Sequence, residues 1–294
     1  MKVFVLGATG YIGGSVAVRL MAAGHQVVGT ARTQDKAREL EARGIQATVA
    51  SFDDVDVLTR LAKEADAVIN AASADDRKTV EVLLAALKGS NKHFIHTSGS
   101  SIVATDTGGT LTTQVHDEDM PIDPVPEKVA RIALDTLVLE AKKDGIHTNV
   151  ICPCLIYGKG LGLNPDSVQL PPLIKYARET GTARYIGKGE NVWSNVHIED
   201  LADLYLMVLE RAPAGTFYFA ENGEANFRDV VTAIGKRYSL PVGSMTVPEA
   251  EKLWGVELGR LALASNSRIH AKRARALGWK PHRPSVFDVI AQMK

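Results

Sequence analysis

Two stretches of this chain carry residues whose types and spacing suit chemistry. The first is Gly7, Gly10 and Gly13 in MKVFVLGATGYIGG, a Gly-x-x-Gly-x-x-Gly run with Thr9, Tyr11 and Ile12 set between the glycines. The first glycine allows a sharp turn, the second lets backbone approach a ligand where any Cβ would collide, and the third lets a following helix pack close to a sheet. The free N–H groups and positive dipole end of that helix would face a pyrophosphate. The second stretch is Thr97-Ser98-Gly99-Ser100-Ser101, a strand end crowded with hydroxyls that can donate or accept a proton.

The elements that must position these groups are legible in the hydrophobic pattern. Residues 2–6 form a short apolar run typical of a buried parallel strand, and an amphipathic stretch at 15–23 follows, closed by Gly24. Strands are predicted at 26–30, 45–50, 67–70, 93–96 and 148–151, and helices at 34–43, from Asp54 to Glu64, at 77–88 and at 127–143. Five or six βα units in a row make an α/β fold, a doubly wound parallel sheet of the Rossmann type. Its ligands bind at the carboxyl ends of the strands, where both polar stretches fall. Beyond residue 157 the pattern loosens into a smaller C-terminal domain over 158–294, in which about 192–212 is expected to return to the core. Asn226 is the expected cap of a helix at 227–238, and another amphipathic helix is expected at 248–262.

In such a fold an acidic residue at the end of the second strand holds the ribose 2′-hydroxyl of NAD, whereas arginine accommodates the 2′-phosphate of NADP. Here the order is Thr30-Ala31-Arg32-Thr33, with no carboxylate before Asp35. The cofactor expected is therefore NADP rather than NAD, with Arg32 on the phosphate; the alternative is a solvated loop arginine. Asp53 and Asn70 are candidates for the adenine and ribose edges, or else turn and cap residues. Ala71 and Ala72 are small where backbone passes near the cofactor.

Composition narrows the partners to a small-molecule substrate. With 34 basic and 34 acidic residues the formal charge is zero, which gives no general attraction to nucleic acid or an anionic membrane. The basic residues Arg268, Lys272, Arg273 and Arg275 lack interleaved aromatics and read as the solvated face of a helix. No apolar stretch approaches the ~20 residues of a membrane span, so a cytoplasmic protein is expected, as monomer or homodimer. Cys152 and Cys154, in Cys-Pro-Cys, have neither redox nor metal-ligand spacing and read as reduced packing residues; no metal is expected.

With these residues in place, the chain resembles the extended and atypical NAD(P)-dependent epimerase/dehydratase branch of the short-chain dehydrogenase/reductase superfamily. The resemblance rests on Gly7-Ala8-Thr9-Gly10-Tyr11-Ile12-Gly13, Asn70-Ala71-Ala72, the Thr97–Ser101 strand end, the run from Cys152 to Gly158, the run from Trp193 to Asp203, and Leu277-Gly278-Trp279-Lys280-Pro281. It implies a Ser/Thr hydroxyl acting on the substrate together with the tyrosine of a Tyr-x-x-x-Lys motif, whose lysine lowers the phenol pKa and holds the nicotinamide ribose. That motif is absent: no tyrosine occurs between Gly99 and Glu127.

Two registers replace it, Pro124 to Lys128 or Glu127 to Arg131, and the second fits better because Asp135 then falls four residues after the base. Either Lys128 or Arg131 keeps the positive charge. Ser98 is the expected hydroxyl, and His116 is a substitute acid/base in the long 104–126 loop, or else a surface histidine. Tyr157 lies in the crevice as a structural tyrosine or an acid, and His197 as a fold-anchoring residue. The expectation is an NADP-dependent oxidoreductase of a small carbonyl or alcohol. A non-catalytic NADP-binding regulator and a non-redox isomerase or lyase are the alternatives.

Overall fold

The computed structural model describes residues 1–293. Its first half runs β1 (Lys2–Leu6), α1 (Tyr11–Ala22), β2 (Gln26–Ala31), α2 (Gln34–Glu41), β3 (Gln46–Val49), α3 (Val55–Glu64), β4 (Ala67–Asn70), α4 (Arg77–Leu87), β5 (His93–Thr97), β6 (Thr105–Asp106), α5 (Val129–Glu140) and β7 (His147–Pro153). The second half runs β8 (Leu155–Tyr157), α6 (Leu170–Thr180), β9 (Ala183–Ile186), β10 (Val192–His197), α7 (Ile198–Arg211), β11 (Thr216–Ala220), β12 (Gly223–Asn226), α8 (Phe227–Tyr238), β13 (Val242–Met245), α9 (Val247–Gly255), β14 (Ser265–Asn266), α10 (Lys272–Ala276) and α11 (Val286–Gln292).

Seven strands form one parallel sheet in the order β11-β7-β5-β4-β1-β2-β3, the doubly wound arrangement expected from the sequence. Its strands are apolar on both faces because helices cover both. Val3 and Val5 join the cluster under α1 and α7, while Phe4 and Leu6 join the one under α3, α4 and α5. Order reverses at β1, which has β2 on one side and β4 on the other. That switch point opens a crevice at the strand ends.

The later segments interleave with this core instead of standing apart. β10 pairs with β8 and β12 in a small separate sheet, so the return to the core is made by α7, against α1, and by β11, which extends the main sheet beside β7. The 104–126 loop is ordered and docked on the chain's C-terminal part: β6 pairs with β14, and His116 bridges to Ile269. Glu118 accepts backbone N–H bonds from Phe219, Lys272 and Arg273.

The basic run is partly exposed, as expected of a solvated face, but its charges are paired. Arg268 is paired with Glu224, Lys272 and Arg273 with Asp119, and Arg275 with Glu221. These four cations tie the C-terminal segment to the 104–126 loop and to Glu221 and Glu224, just before and within β12. Among the described residues no helix is long and apolar enough to cross a membrane.

Candidate active site

The glycine loop has the geometry its spacing implies. Gly7 takes φ +92°, the left-handed region a side chain would strain, and its carbonyl accepts a 2.8 Å bond from the Gly10 N–H. A Cβ on Gly13 would lie 2.3 Å from the Gly7 oxygen, so α1 leans on the turn as only glycine permits. α1 starts at Tyr11, four residues earlier than the amphipathic pattern suggested, and Gly10 caps it with no side-chain bond. No side chain caps its first N–H groups and the first turn holds no acidic residue. These features fit a dinucleotide pyrophosphate.

Other cofactor candidates divide by what their side chains already do. The Tyr11 phenol turns away and donates to the Gly158 carbonyl at 2.8 Å, fixing the 158–163 loop on α1, so only its backbone faces the crevice. Asn70 is buried: its Oδ1 accepts from the Ala72 N–H and its Nδ2 reaches His96 Nδ1 at 3.2 Å. It shapes the turn from inside, and the backbone of Ala71 and Ala72 passes the Gly7 position. Asp53 lies at the rim beyond β3, paired with Lys78 at 2.9 Å. Arg32 is exposed directly after β2.

Next to this loop is a cleft of about 390 Å³ lined by Ile12, the Ser98–Ser101 run and Arg131 on one side. Val168, Trp193, Trp254, Glu257 and Leu258 lie on the other. Two larger grooves, of about 670 and 660 Å³, lie around Arg178 and around His197, away from the hydroxyl run. Arg131 and Asp135 are one helical turn apart on α5, so both meet the end of β5. The Arg131 guanidinium donates to Ser101 Oγ at 2.9 Å and makes a two-pronged pair with Asp75 at 2.8 and 2.6 Å, which holds the Asp75 carboxyl below its usual range.

Of the two bases, only Arg131 lines the cleft. Lys128 is buried behind it, with Nζ 2.5 and 2.7 Å from the two Glu257 oxygens. Glu127, in the place of the absent tyrosine, pairs with Arg260 at the surface. No phenol substitutes for it: none of the chain's seven tyrosines lines the cleft. Tyr157 donates to the Pro284 carbonyl at 2.8 Å, and burial pushes its pKa up to about 12. His116 does not line the cleft; it is buried against Ile269, with its pKa lowered by desolvation. His197 caps α7, its Nδ1 accepting from the Glu199 N–H at 3.2 Å. Cys152 and Cys154 are free, buried and pushed up by desolvation, hence unreactive.

Beneath Ser98 lies a buried cluster that the sequence reading left unassigned. Ser98 Oγ and Asp135 Oδ2 are 2.6 Å apart, and Asp135 Oδ1 is 3.8 Å from His96 Nε2. His96 and Asn70 are register partners on β5 and β4, which is why their side chains meet. Burial raises the Asp135 carboxyl to about 7 and lowers His96 to about 4, so neutral forms of both are favoured. The available signal was a histidine inside a fully buried strand, a costly placement unless it is partnered.

The glycine turn, the open start of α1 and the polar end of β5 define a Rossmann protein of the dinucleotide-binding type, with a cleft beside its glycine loop. The family model of the NAD dependent epimerase/dehydratase family matches residues 3–218, and the chain belongs to that family. An uncharacterised protein of Saccharomyces cerevisiae is 30% identical over 99% of this chain and 98% of its own length. The 4-hydroxy-2-methyl-3-oxo-4-farnesyl-3,4-dihydroquinoline-1-oxide ketoreductase of Stigmatella aurantiaca is 26% identical over 76% of this chain and 69% of its own. Among solved structures, dTDP-glucose 4,6-dehydratase from Bacillus anthracis in complex with NAD superposes with a TM-score of 0.79 at 16% identity, covering 99% of this chain and 94% of that one. At that identity the likeness is one of fold.

Proposed function

We propose that this protein is an NADP-dependent oxidoreductase that reduces the carbonyl of an apolar ketone or aldehyde, or oxidises the corresponding alcohol. The observation that carries this reading is the cleft itself. Ile12, at the start of the cofactor helix, shares it with the Ser98–Ser101 hydroxyls and Arg131, under an apolar wall of Trp193, Trp254 and Leu258. Apolar walls with a few convergent polar groups suit a hydrophobic substrate held by one polar end. The ketoreductase relative, named for a farnesyl-bearing substrate, supports the same class.

The nicotinamide cofactor, when bound, supplies the hydride; the protein's part is to place the carbonyl and manage charge and protons. Arg131 stands where it can orient the ribose or stabilise a developing alkoxide, and Ser98 and Ser101 where they can hydrogen-bond the oxygen. Mixing the protein with NADPH and a panel of alkyl and aryl ketones, aldehydes and sugar nucleotides tests this. Loss of NADPH absorbance with apolar carbonyls, and none with sugar nucleotides, is expected. No oxidation anywhere in the panel would overturn it.

The absence of any phenol from the cleft favours a second reading, an NADP-binding regulator without turnover. Tight NADPH binding with no oxidation, and a partner whose binding responds to it, is that reading's signature.

Arg32, exposed at the end of β2, is assigned to the 2′-phosphate. Arg32→Ala is expected to weaken NADPH binding roughly ten- to hundred-fold, the loss of a charge-assisted contact, with NADH binding unchanged. Titrating both cofactors into wild type and variant checks it. An unaltered preference removes Arg32 from the site.

A further inference from the structure

Ser98 is the only hydroxyl of the cleft run whose Oγ is bonded to a buried carboxyl, and that carboxyl borders a second cavity. Asp135 is bonded to Ser98, which lines the cleft, and itself lines a second cavity of about 240 Å³ beside α5 together with Asp117, Glu118, Thr136 and Arg273. The rest of its lining is apolar, including Ile122, Phe217 and Phe219, so these polar groups are where water entering it would bond. Asp135 thus lines the second cavity and is bonded to Ser98, which lines the cleft.

The remaining contacts of Asp135 keep it in register. The Ala72 N–H fixes Asn70 Oδ1, which turns Asn70 Nδ2 onto His96 Nδ1 and makes that nitrogen an acceptor. The ring proton then belongs on Nε2, which faces Asp135 Oδ1 at 3.8 Å. Both atoms are buried and neither makes a hydrogen bond of good geometry among the described residues, although the Ala74 backbone also lies close to His96. Buried polar atoms are nearly always bonded, so a matched pair left a little beyond bonding distance marks a group with somewhere to move. A small rotation of the carboxyl lets Asp135 lean on His96 when it is ionised and on Ser98 when it is protonated.

We propose that Asp135 is the proton reservoir of this site, passing a proton to Ser98 as Ser98 protonates the reduced carbonyl oxygen, and refilled from water in the cavity beside α5. This rests on the oxidoreductase reading and supplies the proton step that the absent tyrosine would otherwise perform. As the carbonyl carbon accepts hydride from a reduced nicotinamide, the C=O π pair becomes an alkoxide lone pair. The Ser98 O–H bond breaks and the alcohol O–H forms; the Asp135 O–H bond breaks and the Ser98 O–H is restored. One solvent proton then re-protonates Asp135, so the sum is carbonyl, reduced nicotinamide and one proton giving alcohol and oxidised nicotinamide. Asp135 touches no substrate and acts through Ser98.

The environment suits a reservoir. Burial raises the carboxyl to about 7, so it holds a proton below neutrality and releases one readily. The ionisable groups around it are His96 on β5, Cys152 on β7, and the Arg131–Asp75 pair. Arg131 lowers its pKa and Asp75 raises it. Across the second cavity stand Asp117, Glu118 and Arg273.

The test uses the full-length protein with NADPH and whichever carbonyl of the panel is reduced best. For wild type, kcat for reduction is expected to fall as pH rises through about 7, because ionisation empties the reservoir. Asp135→Asn, which can bond Ser98 but carries no proton, is expected to lower kcat on the order of 10²-fold, with KM little changed and the inflection gone. Asp135→Glu is expected to restore part of the rate and an inflection. Without cofactor, carboxyl carbon NMR of aspartate-labelled protein should show one resonance titrating near 7 that disappears in Asp135→Asn. If Asp135→Asn keeps the wild-type kcat and pH profile, or no carboxyl titrates within about a unit of 7, the relay is overturned while carbonyl reduction stands. If wild type oxidises no NADPH, the oxidoreductase reading falls and takes the relay with it.

Discussion

Gly13→Ala is expected to remove tight NADPH binding and to lower stability at the same time. The added methyl carbon would stand 2.3 Å from the Gly7 oxygen and 2.7 Å from the Gly7 carbonyl carbon, both backbone atoms of the loop that is to hold the pyrophosphate. They cannot swing aside as a flexible side chain would. Gly7 is pinned in turn by the bond from the Gly10 N–H and by the close approach of Ala71. Either α1 must lift from the sheet or the loop must open, and each displaces the first-turn N–H groups.

Overpacking of this kind costs about 1–3 kcal/mol of stability, and a shift of the loop by a fraction of an ångström should raise the NADPH dissociation constant at least ~10-fold. Gly24→Ala separates the two effects. Gly24 has φ +86° and nothing within 4 Å of an added Cβ, so it carries backbone strain of about 1 kcal/mol with no reach to the cofactor. Thermal unfolding and fluorescence titration with NADPH measure both quantities. A folded Gly13→Ala protein with wild-type affinity would dissociate the loop from cofactor binding.

The second large effect is expected at Asp200→Ala. Asp200 is 1% exposed in the first turn of α7, and its carboxylate accepts three bonds: from the His282 N–H at 3.0 Å, the Arg283 N–H at 3.1 Å and Asn222 Nδ2 at 2.8 Å. Its own carbonyl accepts from Trp279 Nε1 at 2.9 Å. One side chain thus anchors the start of the C-terminal segment that leads into α11. Alanine would leave three part-buried donors without this acceptor, and charge-assisted bonds contribute about 1.5–3 kcal/mol each when intact. Allowing for water entering the gap, the loss should be about 3–5 kcal/mol, with hydrogen exchange rising first over residues 279–292. Asp200→Asn keeps one acceptor oxygen and should lose roughly half as much. Denaturant unfolding checks it; a cost under about 1 kcal/mol would mean that the segment is held elsewhere.

Asp200 also shows which parts of the molecule could be read from the chain. The β1–Gly7–α1 unit was legible because its requirements are local: a buried strand, a turn only glycine makes, and a helix packed onto both. The same holds for the polar end of β5 and for Asn226 capping α8 through the Asp229 N–H. What escaped were pairings across long separations. The ion pairs of the C-terminal basic residues could not be read because their carboxylates, Asp119, Glu221 and Glu224, lie far away in sequence. For Asn70, read as a ribose contact or else a turn residue, the Ala72 N–H bond fits the turn reading, while its other partner, His96, is one strand away and could not be seen. The second register of the absent tyrosine motif did place Asp135 correctly in line with Arg131, but only the fold shows Ser98 turned onto it.

The addition of β11 to the main sheet has a consequence for how this chain can be made and divided. A fragment ending at residue 157 contains every glycine-loop and hydroxyl residue of the site, yet its β7 would be an open edge. Val150, Ile151 and Cys152, all buried in the whole protein, would offer unpaired backbone to any neighbouring chain. On the ribosome the sheet stays unfinished until residue 220 has emerged, and the 104–126 loop lacks its β14 partner and its bonds to Lys272 and Arg273 until residues 265–273 follow. The dinucleotide-binding half therefore cannot be completed as a unit of synthesis; it folds together with the end of the chain, and truncation should yield aggregate instead of a smaller cofactor-binding protein.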